Sequence, residues 1–175
     1  METVFSEAFE AGHVIDAVLA TSQQQSDDFW RLRHGISEVQ KHEGGSIKHD
    51  VSVPVSRMPD FIVEASAAVR ATIEGCRPVP FGHLGDGNIH FNVSQPVDSD
   101  KATFLAQWDE INSVVHELVR QYGGSISAEH GIGRLKAGLL EGVKSQVELD
   151  MMYAVKKALD PHGMFNPGAM LKNAL

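Results

Sequence analysis

Cysteine is nearly absent: Cys76 stands alone in 175 residues, so no internal disulfide can form and the chain fits a reducing compartment. It falls between a predicted helix and a predicted strand and reads as a small buried hydrophobe. Long apolar runs are missing, and no segment approaches the roughly 20 residues that a membrane-spanning helix needs. The N-terminus lacks a basic start, an apolar centre and a small-residue cleavage site. No signal peptide is therefore expected, and the expected compartment is the cytoplasm, or the mitochondrial matrix in a eukaryote. Basic clusters are missing too. With 15 Lys and Arg against 23 Asp and Glu, a net charge of −8 argues against nucleic acid and anionic membrane surfaces as partners. GHLGDG at 82–87 is no phosphate loop, because no Gly-Lys-Ser/Thr follows and its glycines suit a hairpin better.

What is present is an ordinary globular composition, 42% hydrophobic and 22% charged, in a chain long enough for one domain with a real core. Nine histidines, dispersed along the chain, raise the prior for metal or acid–base chemistry. Ser26-Asp27-Asp28 predicts a helix start, with acids at the positive end of the dipole, running through Phe29, Leu32 and Ile36 to the break at Gly44-Gly45. Residues 46–53 alternate as a strand, and Ser56 opens a helix with Ile62, Ala65, Val69 and Ile73 at helical spacing. Residues 77–94 read as strand, turn and strand. A long helix is predicted from Lys101 to Gln121, then a strand at 125–129. Ser145-x-x-Glu148 is a capping box for a last helix with Met152, Val155 and Leu159 inward. Asn166-Pro167-Gly168 is a turn signal in the tail. This order implies an α+β fold: a mainly antiparallel sheet with helices on one face.

Strand parity locates the chemistry. Asp86-Gly87 suits a two-residue type I′ turn, which would pair His83 directly with His90 on one face. Imidazoles so placed can reach one metal ion. The same parity puts Ile89, Phe91 and Val93 under the helices and leaves Asn92 with His90. Glu129 in the 125–129 segment and Lys48, Asp50 and Ser52 in the 46–53 segment also point to the polar face. Glu129 and His130 are adjacent, so both can serve one site only if the chain bends, which Gly131 and Gly133 permit. Two imidazoles and a carboxylate leave open metal positions, as in a catalytic site. An α-hydroxy carboxylate can fill two of them, with His130 as a base for its hydroxyl proton and Lys48 and Arg33 as carboxylate ligands. His13, His42, His116 and His162 read as surface or structural residues, as do His34 and the core-parity His49.

PFGHLGDGNIHFNV (80–93), SAEHGIG (127–133) and LDPHGMFNPGAML (159–171) resemble the C-terminal substrate domain of FAD-linked 2-hydroxyacid dehydrogenases, from about Phe29 to the end. That family takes in D-2-hydroxyglutarate, D-lactate and glycolate oxidation. The resemblance implies a ferredoxin-like cap domain in which His83, His90 and Glu129 bind zinc or manganese and His130 is the catalytic base beside the flavin. It also implies that Arg33, Lys48 and Asn92 contact a small 2-hydroxy acid, and that Asn166 lies in a tail returning to the FAD. Ser37 stands where the hydroxyglutarate branch carries threonine. Nothing in the chain resembles the family's FAD-binding domain, which becomes the expected partner, with a homodimer also allowed. The expectation is a C-terminal part, inactive alone, of a larger flavoenzyme. Two other classes stay open beside it: a stand-alone metal-dependent hydrolase and a non-catalytic association module.

Overall fold

A computed structural model of the chain describes residues 2–172 and divides it into two compact units, one up to His42 and one from Glu43 onward. The first unit holds α1 (Glu2–Glu10) and α2 (Gln23–Val39), in neither of which is a side chain buried. Helix α2 begins ahead of the expected Ser26, because Ser22 takes the N-cap and its hydroxyl accepts the Gln25 amide at 3.2 Å. Asp27 and Asp28 then lie a turn inside, where they accept from the Gln23 and Gln24 side chains.

The second unit is built on β1 (Ser46–Ser52), β2 (Arg77–His83) and β3 (Asn88–Ser94), antiparallel in the order β1-β3-β2. Its helices are α3 (Met58–Thr72), α4 (Lys101–Leu105), α5 (Trp108–Gln121), α6 (Ala137–Val143) and α7 (Gln146–Leu159). Parity assigns the faces as expected. Ile47, Val51, Ile89, Phe91 and Val93 are buried with Phe61 and Val69 of α3 and Ile111, Val115 and Val119 of α5. At roughly 25 cal/mol per Å² of apolar surface, this face supplies most of the unit's stabilisation. Strand β2 carries Pro78 and Pro80, paired with Val93 and Phe91 on the same side.

Three expectations for this unit are corrected, and one helix is added. The 101–121 helix is two helices, since Gln107 leaves helical geometry at ψ 13 and lets Phe104 and Ile111 reach the core separately. Residues 125–129 form no strand beyond one bridge, Ser52 with Ser125. Helix α6 joins the 130s loop to α7 and was not foreseen. In α7 the capping box forms, but the buried residue is Leu149, packed with Leu140 and Leu171. Val155 and Leu159 are exposed because α7 seats only its first half.

Candidate active site

On the polar face, three cross-strand rows run from β1 through β3 to β2: Lys48–Asn92–Val79, Asp50–His90–Phe81 and Ser52–Asn88–His83. His83 therefore pairs with Asn88, not with His90 as expected. The connection is four residues, Leu84–Gly87, with positive φ at Gly87 but not at Asp86, so no type I′ turn forms. Asp86 instead accepts the Asn88 amide at 3.0 Å, and the Gly87 carbonyl accepts the Val53 amide at 3.1 Å. A two-residue slip preserves parity, so His83 and His90 still share a face, as diagonal neighbours with ring centroids 5.9 Å apart.

The bend at 128–130 is present. The Ala128 amide reaches the Asp50 carbonyl at 3.2 Å, and the His130 amide donates to Asp50 Oδ2 at 2.7 Å. Gly131 and Gly133 follow at φ 74 and 54, a conformation that favours glycine. Both side chains consequently serve one place. Glu129 Oε1 lies 2.9 Å from His90 Nε2 and 3.9 Å from His130 Nε2, and the His90 and His130 rings stack at 5.7 Å. Asp50, His90, Glu129 and His130 each offer a ligand atom within 4.8 Å of the others. His83 stands beside this group, not within it.

The electrostatics suit a cation. Burial lowers the His90 pKa, overriding the upward pull of Glu129 and Asp50, and so keeps the imidazole lone pair available. Burial pushes the Asp50 carboxyl up, but hydrogen bonds from the His130 amide, the Asn88 side chain and the Ala128 amide outweigh it, leaving it ionised. Burial lowers the Lys136 ammonium, whose Nζ donates to the Ile126 carbonyl at 2.6 Å and the Asp50 carbonyl at 3.4 Å. A pair of imidazoles and two carboxylates, each with a ligand atom within 4.8 Å of the others, is a donor set that fits a divalent metal.

Residues 1–170 match the family of FAD linked oxidases, C-terminal domain. The chain belongs to that family. It is similar to a D-2-hydroxyglutarate dehydrogenase of Stutzerimonas stutzeri (strain A1501), 42% identical over 94% of this chain and 35% of that protein. A probable mitochondrial D-2-hydroxyglutarate dehydrogenase of Oryza sativa subsp. indica is 37% identical over 100% of this chain and 30% of its own length. The mitochondrial D-2-hydroxyglutarate dehydrogenase of Rattus norvegicus is 32% identical over 95% and 30% respectively. The chain thus spans about a third of the length of these relatives. The likeness expected from about Phe29 also reaches back over the N-terminal helices.

Within this C-terminal domain, an open cleft of about 750 Å³ runs beside β1, lined by Lys48, Asp50, His116, His130, Arg134 and Lys136 among others. Lys48 is exposed there, and its partner across the sheet, Asn92, is buried. Arg33 and Ser37 belong to α2 in the first unit. Asn166 sits in the tail at φ 47, in the left-handed region that asparagine tolerates. Sequence reasoning placed Asp50 on the right face without giving it a role. The usable signal was an acid one strand away from His90, at a position of strand parity.

Proposed function

We propose that the chain is the metal- and substrate-binding part of a flavin-dependent D-2-hydroxyacid dehydrogenase, converting an α-hydroxy acid to an α-keto acid. The observation that carries this reading is the convergence of His90, Glu129 and His130 from two separate segments onto one side of the sheet, next to a cleft bearing Lys48. His90 and Glu129 would hold Zn²⁺ or Mn²⁺, with His83 turning in from its place beside them as the third ligand. His130 would take the hydroxyl proton, and Lys48, Arg33, Ser37 and Asn92 would grip the carboxylates. Asn166 would meet the FAD, which would be held mainly by an FAD-binding domain of the parent protein.

When bound, the metal would supply acidity to the substrate hydroxyl, and the flavin would supply the acceptor for the hydride of the carbon that bears it. The chain's own contribution is orientation and proton transfer. His130 is two-thirds exposed on its side chain, so its ring is open to a ligand in the cleft. The names of the relatives favour D-2-hydroxyglutarate, whose second carboxylate suits a basic partner such as Lys48. The mitochondrial relatives favour the matrix if the source is a eukaryote, and the cytoplasm otherwise.

Metal binding tests the reading directly. The metal-stripped chain titrated with Mn²⁺, followed by electron paramagnetic resonance of the free ion, should bind one equivalent. His90→Ala should weaken binding at least tenfold while leaving the melting transition cooperative. An unaltered chain that leaves all the Mn²⁺ free rejects the metal centre.

A further inference from the structure

Asp50 is the least exposed member of the site, 4% accessible although it stands on the polar face. Its Oδ1 accepts Asn88 Nδ2 at 2.8 Å, and its Oδ2 accepts the amides of Ala128 at 3.2 Å and His130 at 2.7 Å. Its backbone carbonyl accepts the Ala128 amide and the Lys136 ammonium. The His90 and His130 Nδ1 atoms are both 3.8 Å from the carboxylate, beyond hydrogen-bond distance. Asp50 therefore grips the backbone of the loop and not the imidazoles.

That grip matters because regular pairing stops after the Ser52–Ser125 bridge. In an extended strand Glu129 and His130 would point to opposite faces. The turn that brings them together is tied to the sheet by the two amides that end on Asp50, with Lys136 clamping the Ile126 carbonyl two residues before Ala128. We infer that Asp50 is the positioning residue of this site: by accepting the Ala128 and His130 amides it sets the bend that aims Glu129 and His130 at His90. The inference rests on the metal reading given above.

A competing role, a carboxylate ligand in its own right, is separable by two substitutions. Asn88 Oδ1 is buried without a hydrogen-bond partner among the described residues. In Asp50→Asn, a flipped Asn88 amide can accept from the new amide nitrogen while giving up its 3.3 Å bond to the Val51 carbonyl, and the remaining oxygen still accepts the loop amides, so the bonds to the loop survive and the charge goes. Asp50→Ala loses the charge and the side-chain bonds, so the His130 amide has no acceptor there and the Ala128 amide keeps only the backbone carbonyl of residue 50.

The test uses the 175-residue chain, with Mn²⁺ as probe and amide hydrogen exchange as a second readout. Expected are a dissociation constant within about threefold of the unaltered chain for Asp50→Asn, and at least tenfold weaker binding for Asp50→Ala, in line with the 10–100-fold effects of outer-sphere partners. The His130 amide should exchange slowly in the unaltered chain and in Asp50→Asn, and fast in Asp50→Ala, while core amides of β3 stay protected. Equal loss of Mn²⁺ in both variants makes Asp50 a ligand and overturns the inference. So does a His130 amide that exchanges alike in all three proteins. If the unaltered chain binds no Mn²⁺, the metal reading fails, and the exchange data alone decide whether Asp50 holds the bend.

Discussion

His49 lies on the helix-covered side of β1, where its Nδ1 donates to the Phe91 carbonyl at 2.8 Å and its ring meets His116 edge-on at 5.7 Å. Burial first, then the nearby His116 and Lys136, bring its pKa to about 4, against an upward pull from the Phe91 carbonyl and Asn112. Burial and Lys136 do the same to His116, also to about 4. Both folded values lie below the unfolded value of 6.5, so between these limits the unfolded chain binds more protons than the native one. The stability from keeping these rings neutral is complete above pH 6.5 and is lost as pH falls towards 4. Urea unfolding at pH 7 and pH 4.5 should show a loss on the order of 2–3 kcal/mol from His49 alone. His49→Phe should flatten that dependence; an unchanged slope would contradict the assignment. At this same scale, Glu129 and His130 were legible from parity and the two glycines that follow, while Asp50 was not. A buried acid in an alternating polar row looks like any solvated charge until the loop amides that end on it are seen.

At the level of elements, Gly87 holds the β2–β3 connection in its form. Its φ is 79, and a Cβ there would stand 2.1 Å from the Val53 carbonyl oxygen. Gly87→Ala should lower stability by about 1–3 kcal/mol and raise the separation of the His83 and His90 rings, read by thermal unfolding and by histidine ring chemical shifts. A variant that melts with the parent would show the turn to be adaptable. This contact also explains why the register was misread. Asp-Gly signals a tight hairpin locally, but Gly87 is drawn against β1 by the Val53 amide, a partner more than thirty residues away that no local rule sees. The faces of β1 and β3 survived the error because hydrophobic alternation fixes parity and the slip was even. The 125–129 segment alternates like a strand, yet only Ser125 and Ala128 reach β1, and the rest is spent on the bend. Helix α6 holds two glycines in seven residues, too weak a pattern to register. The capping box of α7 was readable because both of its hydrogen bonds are local.

At the scale of the molecule, the family match extends over residues 1–170, and the relatives are about three times as long as the chain. The donor set for a metal lies within the second unit, whereas Arg33 and Ser37 stand in the first. On the proposed reading, which assigns the FAD mainly to a separate domain, the purified 175-residue chain should be colourless and should not reduce an artificial electron acceptor with D-2-hydroxyglutarate or D-lactate. Flavin absorbance with turnover would refute that division of labour. One consequence concerns how such chains meet each other. Alternate strand residues direct their N–H groups to the same side, and β2 keeps its ladder to β3, so the donors missing at Pro78 and Pro80 are missing from the strand's outer margin. A fourth strand laid there would find no amide at two alternate positions. At high concentration the protein is therefore guarded against fibril-like growth along β2.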